Sequence, residues 1–145
     1  MRLVIQRVKK ASVEAMGVVV GEIDQGLFVL LGIKKGDTKE QVNNLVEKLV
    51  KLRVMADEND KMNLSVKDIN SSILVVSQFT LYANTKEGNR PSFIEAEDPK
   101  KAEKLYEYFV EKLKGSGVNT QTGNFGEYMN IKTQLDGPVT IVLEN

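Results

Sequence analysis

The 145-residue sequence predicts a strand-rich α/β fold, a sheet or partial β-barrel with two amphipathic helices packed on it, as one domain over residues 1–145. Three observations predict it. The stretches 42–50 and 102–113 repeat apolar residues at the helical period. Around them, short runs rich in Val, Ile and Leu are divided by clusters of Gly, Asn and Asp. No repeat, linker or low-complexity segment splits the chain.

In chain order, residues 3–8 read as a strand and Ala11 to Met16 as its partner. Val18-Val19-Val20 and Leu27 to Leu31 are two further strands around a Gly21 to Gly26 turn region, and Gly36-Asp37-Thr38 breaks the pattern. Val42, Leu45, Val46, Leu49 and Val50 share one helical face, and Asp37 with Glu40, or Thr38 with Gln41, forms a capping box. Arg53 to Ala56 reads as a short strand. Asp57 to Lys61 is acidic but lacks the Gly and Glu spacing of a calcium loop, so it is expected to be a solvated hairpin tip. Ile73 to Val76 reads as a fully buried strand. The polar loop Asn84 to Phe93 is either an exposed connector or a functional loop. Asp98 caps a second helix with Pro99 at its first position; Ala102, Leu105, Tyr106, Phe109, Val110 and Leu113 form its buried face, and Gly115 ends it. Lys100, Lys101 and Lys104 oppose the dipole at its start, as a solvated face or an anion-facing patch. Val118 to Thr122, Glu127 to Gln134 and Val139 to Leu143 are the late strands.

Composition narrows the chemistry. Lys+Arg and Asp+Glu both number 20, so nothing in the net charge points to nucleic acid, and any RNA contact must come from a local patch. There is no cysteine and no histidine. That removes thiolate nucleophiles, the Ser-His-Asp triad, imidazole acid–base work and the usual zinc sites. No metal and no cofactor are expected. The charged, alternating N-terminal residues lack the apolar run of a signal peptide or membrane span, so a cytoplasmic protein with no membrane contact is expected.

Two stretches stand apart. Ser77-Gln78-Phe79-Thr80-Leu81 ends the buried strand in polar side chains, which must find partners or face a cavity. Taken alone, Ser77 and Thr80 are better explained by hydroxyls closing a strand on nearby backbone. Asp136-Gly137-Pro138-Val139-Thr140 offers a bare, stiff backbone entering the last strand, or an ordinary turn.

Together they resemble the two signature motifs of the D-aminoacyl-tRNA deacylases. Gln6-Arg7-Val8, Lys61-Met62-Asn63-Leu64, Arg90-Pro91-Ser92-Phe93, and Phe125 with Met129 match that family too, and the resemblance runs along essentially the whole chain. It implies a homodimer with active sites at the subunit interface. Its activity would be hydrolysis of the ester joining a D-amino acid, or mischarged glycine, to the 3′-terminal adenosine of tRNA. It implies that the Gly137–Pro138 peptide is cis and reaches into the partner's pocket, with Arg7 as the neighbour that holds it. Ser77, Gln78, Phe79 and Thr80 would line the ester, and Phe125 and Met129 the adenosine. One position departs: the family usually carries Asn two residues before the Gly, where this chain has Leu135.

In that scheme the Phe79 and Thr80 backbone N–H groups face the ester's developing oxyanion, each such donor being worth about 3–4 kcal/mol of barrier. Without histidine Thr80 lacks a base, so binding or positioning is the expected role of its hydroxyl, and the adenosine 2′-OH is the expected polar group beside the ester. A Gly-Pro backbone set against the α-hydrogen would exclude L side chains and pass glycine. Two other classes remain: a non-catalytic binder of RNA 3′ ends, and a small-molecule D-ester hydrolase.

Overall fold

The computed structural model describes residues 1–145, in eight strands and two α-helices. The strands are β1 (Arg2–Ala15), β2 (Val18–Ile23), β3 (Gly26–Gly32), β4 (Met55–Ala56), β5 (Met62–Leu64), β6 (Ser72–Ser77), β7 (Asn119–Thr122) and β8 (Met129–Glu144). The helices are α1 (Lys39–Val50) and α2 (Pro99–Gly115), and a 3₁₀ turn spans Phe79–Tyr82.

β1 organises the sheet. Arg2 pairs with both Gly32 and Glu144, and Ala11 with both Ile23 and Thr133. β8 therefore runs along one edge of β1, while β3 and then β2 share the other. Beyond β3 lie β6 and β7, both added in parallel. β2 bends back against β6 and β7, so the mixed sheet is nearly closed into a barrel. Two apolar cores fill its faces. The larger joins Leu3, Ile5, Val29, Ile73 and Val75 to α1 and α2; the smaller holds Val8, Val13, Phe28, Leu74 and Val76.

The helical assignments hold. Val42, Leu45, Val46, Leu49 and Val50 are all buried. Of the two capping boxes, Thr38 with Gln41 forms, the Gln41 side chain accepting the Thr38 N–H at 2.7 Å. Asp37 instead accepts from the Met1 ammonium at 2.8 Å and the Lys34 N–H at 2.7 Å. Asp98 caps α2 by accepting the Lys100 N–H at 3.1 Å. α2 ends at Gly115 as expected, with Ser116 as its C-cap and Gly117 following at φ +85°. The left-handed residue is Gly117, not Gly115.

The strand assignments need three corrections. Of the expected Gly21 to Gly26 turn region, only Asp24 and Gln25 turn, because Gly21 to Ile23 continue β2 and Gly26 opens β3. Residues 3–8 and 11–16 are not hairpin partners but one strand, β1. No turn residue separates them: Lys9 and Lys10 are merely exposed where the burial phase slips between Val8 and Ala11. Likewise 129–134 and 139–143 belong to one strand, β8, paired with β1 on both sides of an interruption, while Glu127 and Tyr128, expected in the strand, precede it. Asp57 to Lys61 is the expected hairpin tip between β4 and β5, closed by the Asp57 N–H to the Lys61 carbonyl at 2.8 Å.

Candidate active site

The end of β6 builds the first half of the site. The Gln78 N–H still donates to the Leu31 carbonyl of β3 at 2.8 Å, and then the chain turns. The turn's own hydrogen bonds begin with Leu81 N–H to the Gln78 carbonyl at 3.3 Å, so the N–H groups of Phe79 and Thr80 precede its ladder. They are donors that the turn leaves unused. Ser77 and Gln78 are half-buried, and Phe79 and Thr80 are exposed. The Gln78 side-chain amide donates to the Thr80 hydroxyl. The hydroxyl is thus held by a neutral donor, and no base adjoins it among the hydrogen bonds it makes.

Arg2 braces the far side of the turn. Its guanidinium donates to the Leu81 carbonyl, pairs with Glu144 of β8, and lies 5.1 Å from the centroid of the Tyr82 ring. Burial and the nearby Asp37 carboxylate push the Tyr82 hydroxyl up to about 12. An open cleft of about 250 Å³ adjoins this corner, lined by Arg2, Tyr82, Asn84, Thr85, Lys86 and Glu95 among others. A larger cleft of about 450 Å³ lies along α1 between Asn44 and Arg53 and touches none of the candidate residues.

Phe125 and Met129 flank the same strand end from opposite cores. The Phe125 ring lies 5.6 Å from that of Tyr106, whose hydroxyl donates to the Val75 carbonyl at 3.0 Å. Met129 packs with the second core: a Cβ on Gly123 would come within 2.6 Å of the Met129 sulfur and 3.3 Å of Val76. Both residues keep part of their surface exposed. Burial raises the pKa of Tyr106 well above that of a free tyrosine.

Gly137 and Pro138 stand elsewhere. Thr140 faces Gln6 and Leu135 faces Val8, so four residues of β8, Asp136 to Val139, stand opposite the single residue Arg7. The excess chain bulges from the sheet edge with Gly137 and Pro138 exposed. Their peptide is cis, the form that the resemblance implies. Arg7 anchors the base of the bulge through the Asp136 carbonyl at 3.2 Å and the Asp136 carboxylate at 3.1 Å, and reaches the Val54 carbonyl at 2.8 Å.

Within one chain these two stretches are not brought together. From β8 to β6 is three inter-strand steps, about 14 Å of sheet, and Ser77 lies four residues beyond Ile73, the β6 residue in the Arg7–Leu27 row, or about 13 Å along the strand. Sequence reading found both stretches but missed the supports beneath them, namely Arg2, Tyr106 and Val54. Arg2 and Tyr106 sit in ordinary strand and helix patterns, and Val54 acts through its carbonyl, so none carried a sequence signal.

Residues 4–144 match the family described as D-Tyr-tRNA(Tyr) deacylase. The chain belongs to the D-Tyr-tRNA(Tyr) deacylase family. Among relatives of this deacylase family, the D-aminoacyl-tRNA deacylase of Aquifex aeolicus (strain VF5) is 56% identical over 145 residues, covering 100% of this chain and 98% of its own. That of Thermosipho africanus (strain TCF52B) is 51% identical over 145 residues, covering 100% of this chain and 97% of its own. A solved structure of a c-Myc DNA unwinding element binding protein superimposes with TM-score 0.94 at 42% identity, over 100% of this chain and 99% of that one. A probable eukaryotic D-amino acid tRNA deacylase shares the deacylase fold with TM-score 0.83 at 17% identity, over 98% of this chain and 97% of that one. No helix is long and apolar enough to cross a membrane.

Proposed function

We propose that this chain is a D-aminoacyl-tRNA deacylase that hydrolyses the ester between a D-amino acid, or mischarged glycine, and the 3′-terminal adenosine of tRNA, and spares L-aminoacyl-tRNA. The observation that carries this is the end of β6. A turn with two unused backbone donors follows a buried strand there, in a family whose relatives are named for this reaction. The Phe79 and Thr80 N–H groups bind the oxyanion as water adds to the ester carbonyl. Ser77 and Gln78 line the ester, and the exposed parts of Phe125 and Met129 receive the adenosine. As the carbonyl–O3′ bond breaks, the substrate's own 2′-OH accepts the water's proton and gives its own to the departing 3′ oxygen, since the chain has no imidazole and Thr80 is held by an amide.

Two copies make the complete site. The Gly137-Pro138 bulge of one subunit faces the strand end of the other, which is how two stretches remote in one chain meet. Three features support a dimer: the outer edge of β8 has no strand partner, Ile131, Leu135 and Val142 are exposed on β8, and the bulge is anchored only at its base by Arg7. The Gly137-Pro138 backbone lies where an L side chain would project, so D residues and glycine pass. All 145 residues act as one such domain, in the cytoplasm where tRNA is charged.

The test is hydrolysis of D-Tyr-tRNA, L-Tyr-tRNA and Gly-tRNA by the purified protein without added metal. Loss of the D and Gly esters with the L ester intact is the expected result. Intact D-Tyr-tRNA with salt-sensitive binding would make the chain a binder of RNA ends. Equal cleavage of a free D-tyrosine ester would make it a small-molecule hydrolase.

A further inference from the structure

The Phe79 ring is 58% exposed, although its backbone N–H is one of the two donors at the end of β6. The 3₁₀ turn that carries it is four residues long, and its own hydrogen bonds begin only at the Leu81 N–H. Its fixed points lie on either side: Gln78 N–H on the Leu31 carbonyl before it, and Arg2 on the Leu81 carbonyl after it. Between them the Phe79 side chain has one aromatic neighbour. The Phe93 ring meets it edge to face, with centroids 5.0 Å apart and planes at 69°. Edge to face is one of the two favoured geometries of an aromatic pair, so displacing either ring loses a specific contact.

Phe93 is itself firmly placed. Asn84 and Ser92 exchange both backbone hydrogen bonds at 2.8 Å, closing the 84–92 loop immediately before it. After it, the Ala96 N–H donates to the Phe93 carbonyl at 3.0 Å. The loop therefore presents a ring from a closed base to a residue on a short turn.

Resting on the hydrolase proposed above, we infer that Phe93 is a positioning residue for ester hydrolysis: its ring, packed on Phe79, holds the Phe79 and Thr80 N–H groups where the oxyanion forms. Small misplacement of such donors is costly, because a shift of about 1 Å in a reacting geometry can lower the rate about a hundredfold. The ring acts on the transition state and not on tRNA capture, so its removal lowers kcat and leaves KM.

The test compares the full-length wild type with Phe93→Ala, Phe93→Leu, Phe93→Tyr and Ile94→Ala in steady-state hydrolysis of D-Tyr-tRNA, together with amide hydrogen exchange at Phe79 and Thr80. Phe93→Ala is expected to lower kcat about tenfold, with KM within about twofold, and to speed exchange at both amides about tenfold. Phe93→Tyr, which keeps the ring, restores both to within about twofold of wild type. Ile94→Ala, which removes exposed apolar surface next to Phe93 without the ring contact, changes neither. If Phe93→Ala does not fold, Phe93→Leu decides, with a loss of the same sign. A truncated variant with wild-type kcat and unchanged exchange overturns the inference, as does a rise in KM alone. If the wild type itself leaves D-Tyr-tRNA intact, the hydrolase proposal fails and this inference with it; if the wild type cleaves and Phe93→Ala equals it, only the inference fails.

Discussion

Arg7 grips Asp136 twice, through the carboxylate at 3.1 Å and the backbone carbonyl at 3.2 Å, and so fixes the foot of the bulge that carries Gly137 and Pro138. The same guanidinium donates to the Val54 carbonyl at 2.8 Å, tying the bulge to the approach of the β4–β5 hairpin. Arg7→Ala is expected to lower stability by about 1–3 kcal/mol, the cost of stranding charge-assisted partners in a half-buried place. It should also loosen the bulge, so that discrimination falls more than turnover. Thermal melts with parallel D-Tyr-tRNA and L-Tyr-tRNA assays check both; a stable variant with full discrimination would remove Arg7 from this role.

Gly137 tolerates no side chain. It sits at φ +141°, and an added Cβ would meet the Val139 nitrogen at 2.5 Å and its side chain at 2.9 Å. Gly137→Ala is expected to destabilise the fold by about 1–3 kcal/mol and to abolish chiral discrimination or activity altogether. Urea melts and deacylation assays measure these separately.

Proton transfer distinguishes the substrate's hydroxyl from the protein's. Thr80→Ala removes a hydroxyl that accepts from Gln78 and has no base, so a loss of only a few-fold is expected. Replacing the terminal adenosine by its 2′-deoxy form should slow cleavage far more. A larger loss from Thr80→Ala than from the deoxy substrate would return Thr80 to the chemistry. With no histidine in the chain, the pH profile of kcat/KM should also lack an inflection near 6.5.

Alkaline stability follows from two tyrosines. Burial, reinforced by the Asp37 charge, pushes Tyr82 up to about 12, and burial alone raises Tyr106. Both are ordinary tyrosines near pH 10 once unfolded. Their neutral forms therefore favour the folded state fully below pH 10, and that contribution is lost as pH rises from there through their folded values. Denaturant midpoints should be insensitive to these groups up to about pH 9.5 and fall steeply beyond it. Tyr106→Phe should flatten the slope while costing about 1 kcal/mol at neutral pH, because its hydroxyl bonds the Val75 carbonyl.

Leu135, the one position that departs from the resemblance, faces Val8 at the foot of the bulge and is 46% exposed. It fills no core within one chain. Leu135→Asn should leave monomer stability within about 0.5 kcal/mol and weaken the proposed dimer, as read by sedimentation at falling concentration.

The parts of this fold that were legible in the sequence are those set by local period. α1 could be drawn from five residues because a helix repeats its buried face within one element. β1 and β8 were each read as two pieces, because where a strand's burial slips depends on its neighbour and not on its own residues. Gly137-Pro138 was visible as bare backbone, yet its protrusion follows from counting β8 against Arg7, which needs the pairing. The same holds for the strand end. Ser77 to Thr80 announced themselves, whereas the ring of Phe93 reaches Phe79 across a loop closure that no sequence period encodes.

β1 and β8 are the first and last strands, and they lie side by side along their whole length. Contacts so distant in sequence are slow to form, and they cannot begin until β8 itself has been made. During translation the edge of β1 waits unpaired, an open template for other extended chains. The strand bearing Gly137 and Pro138 is thus made after every other strand of this sheet, and the backbone proposed to exclude L residues takes its place on β1 only then.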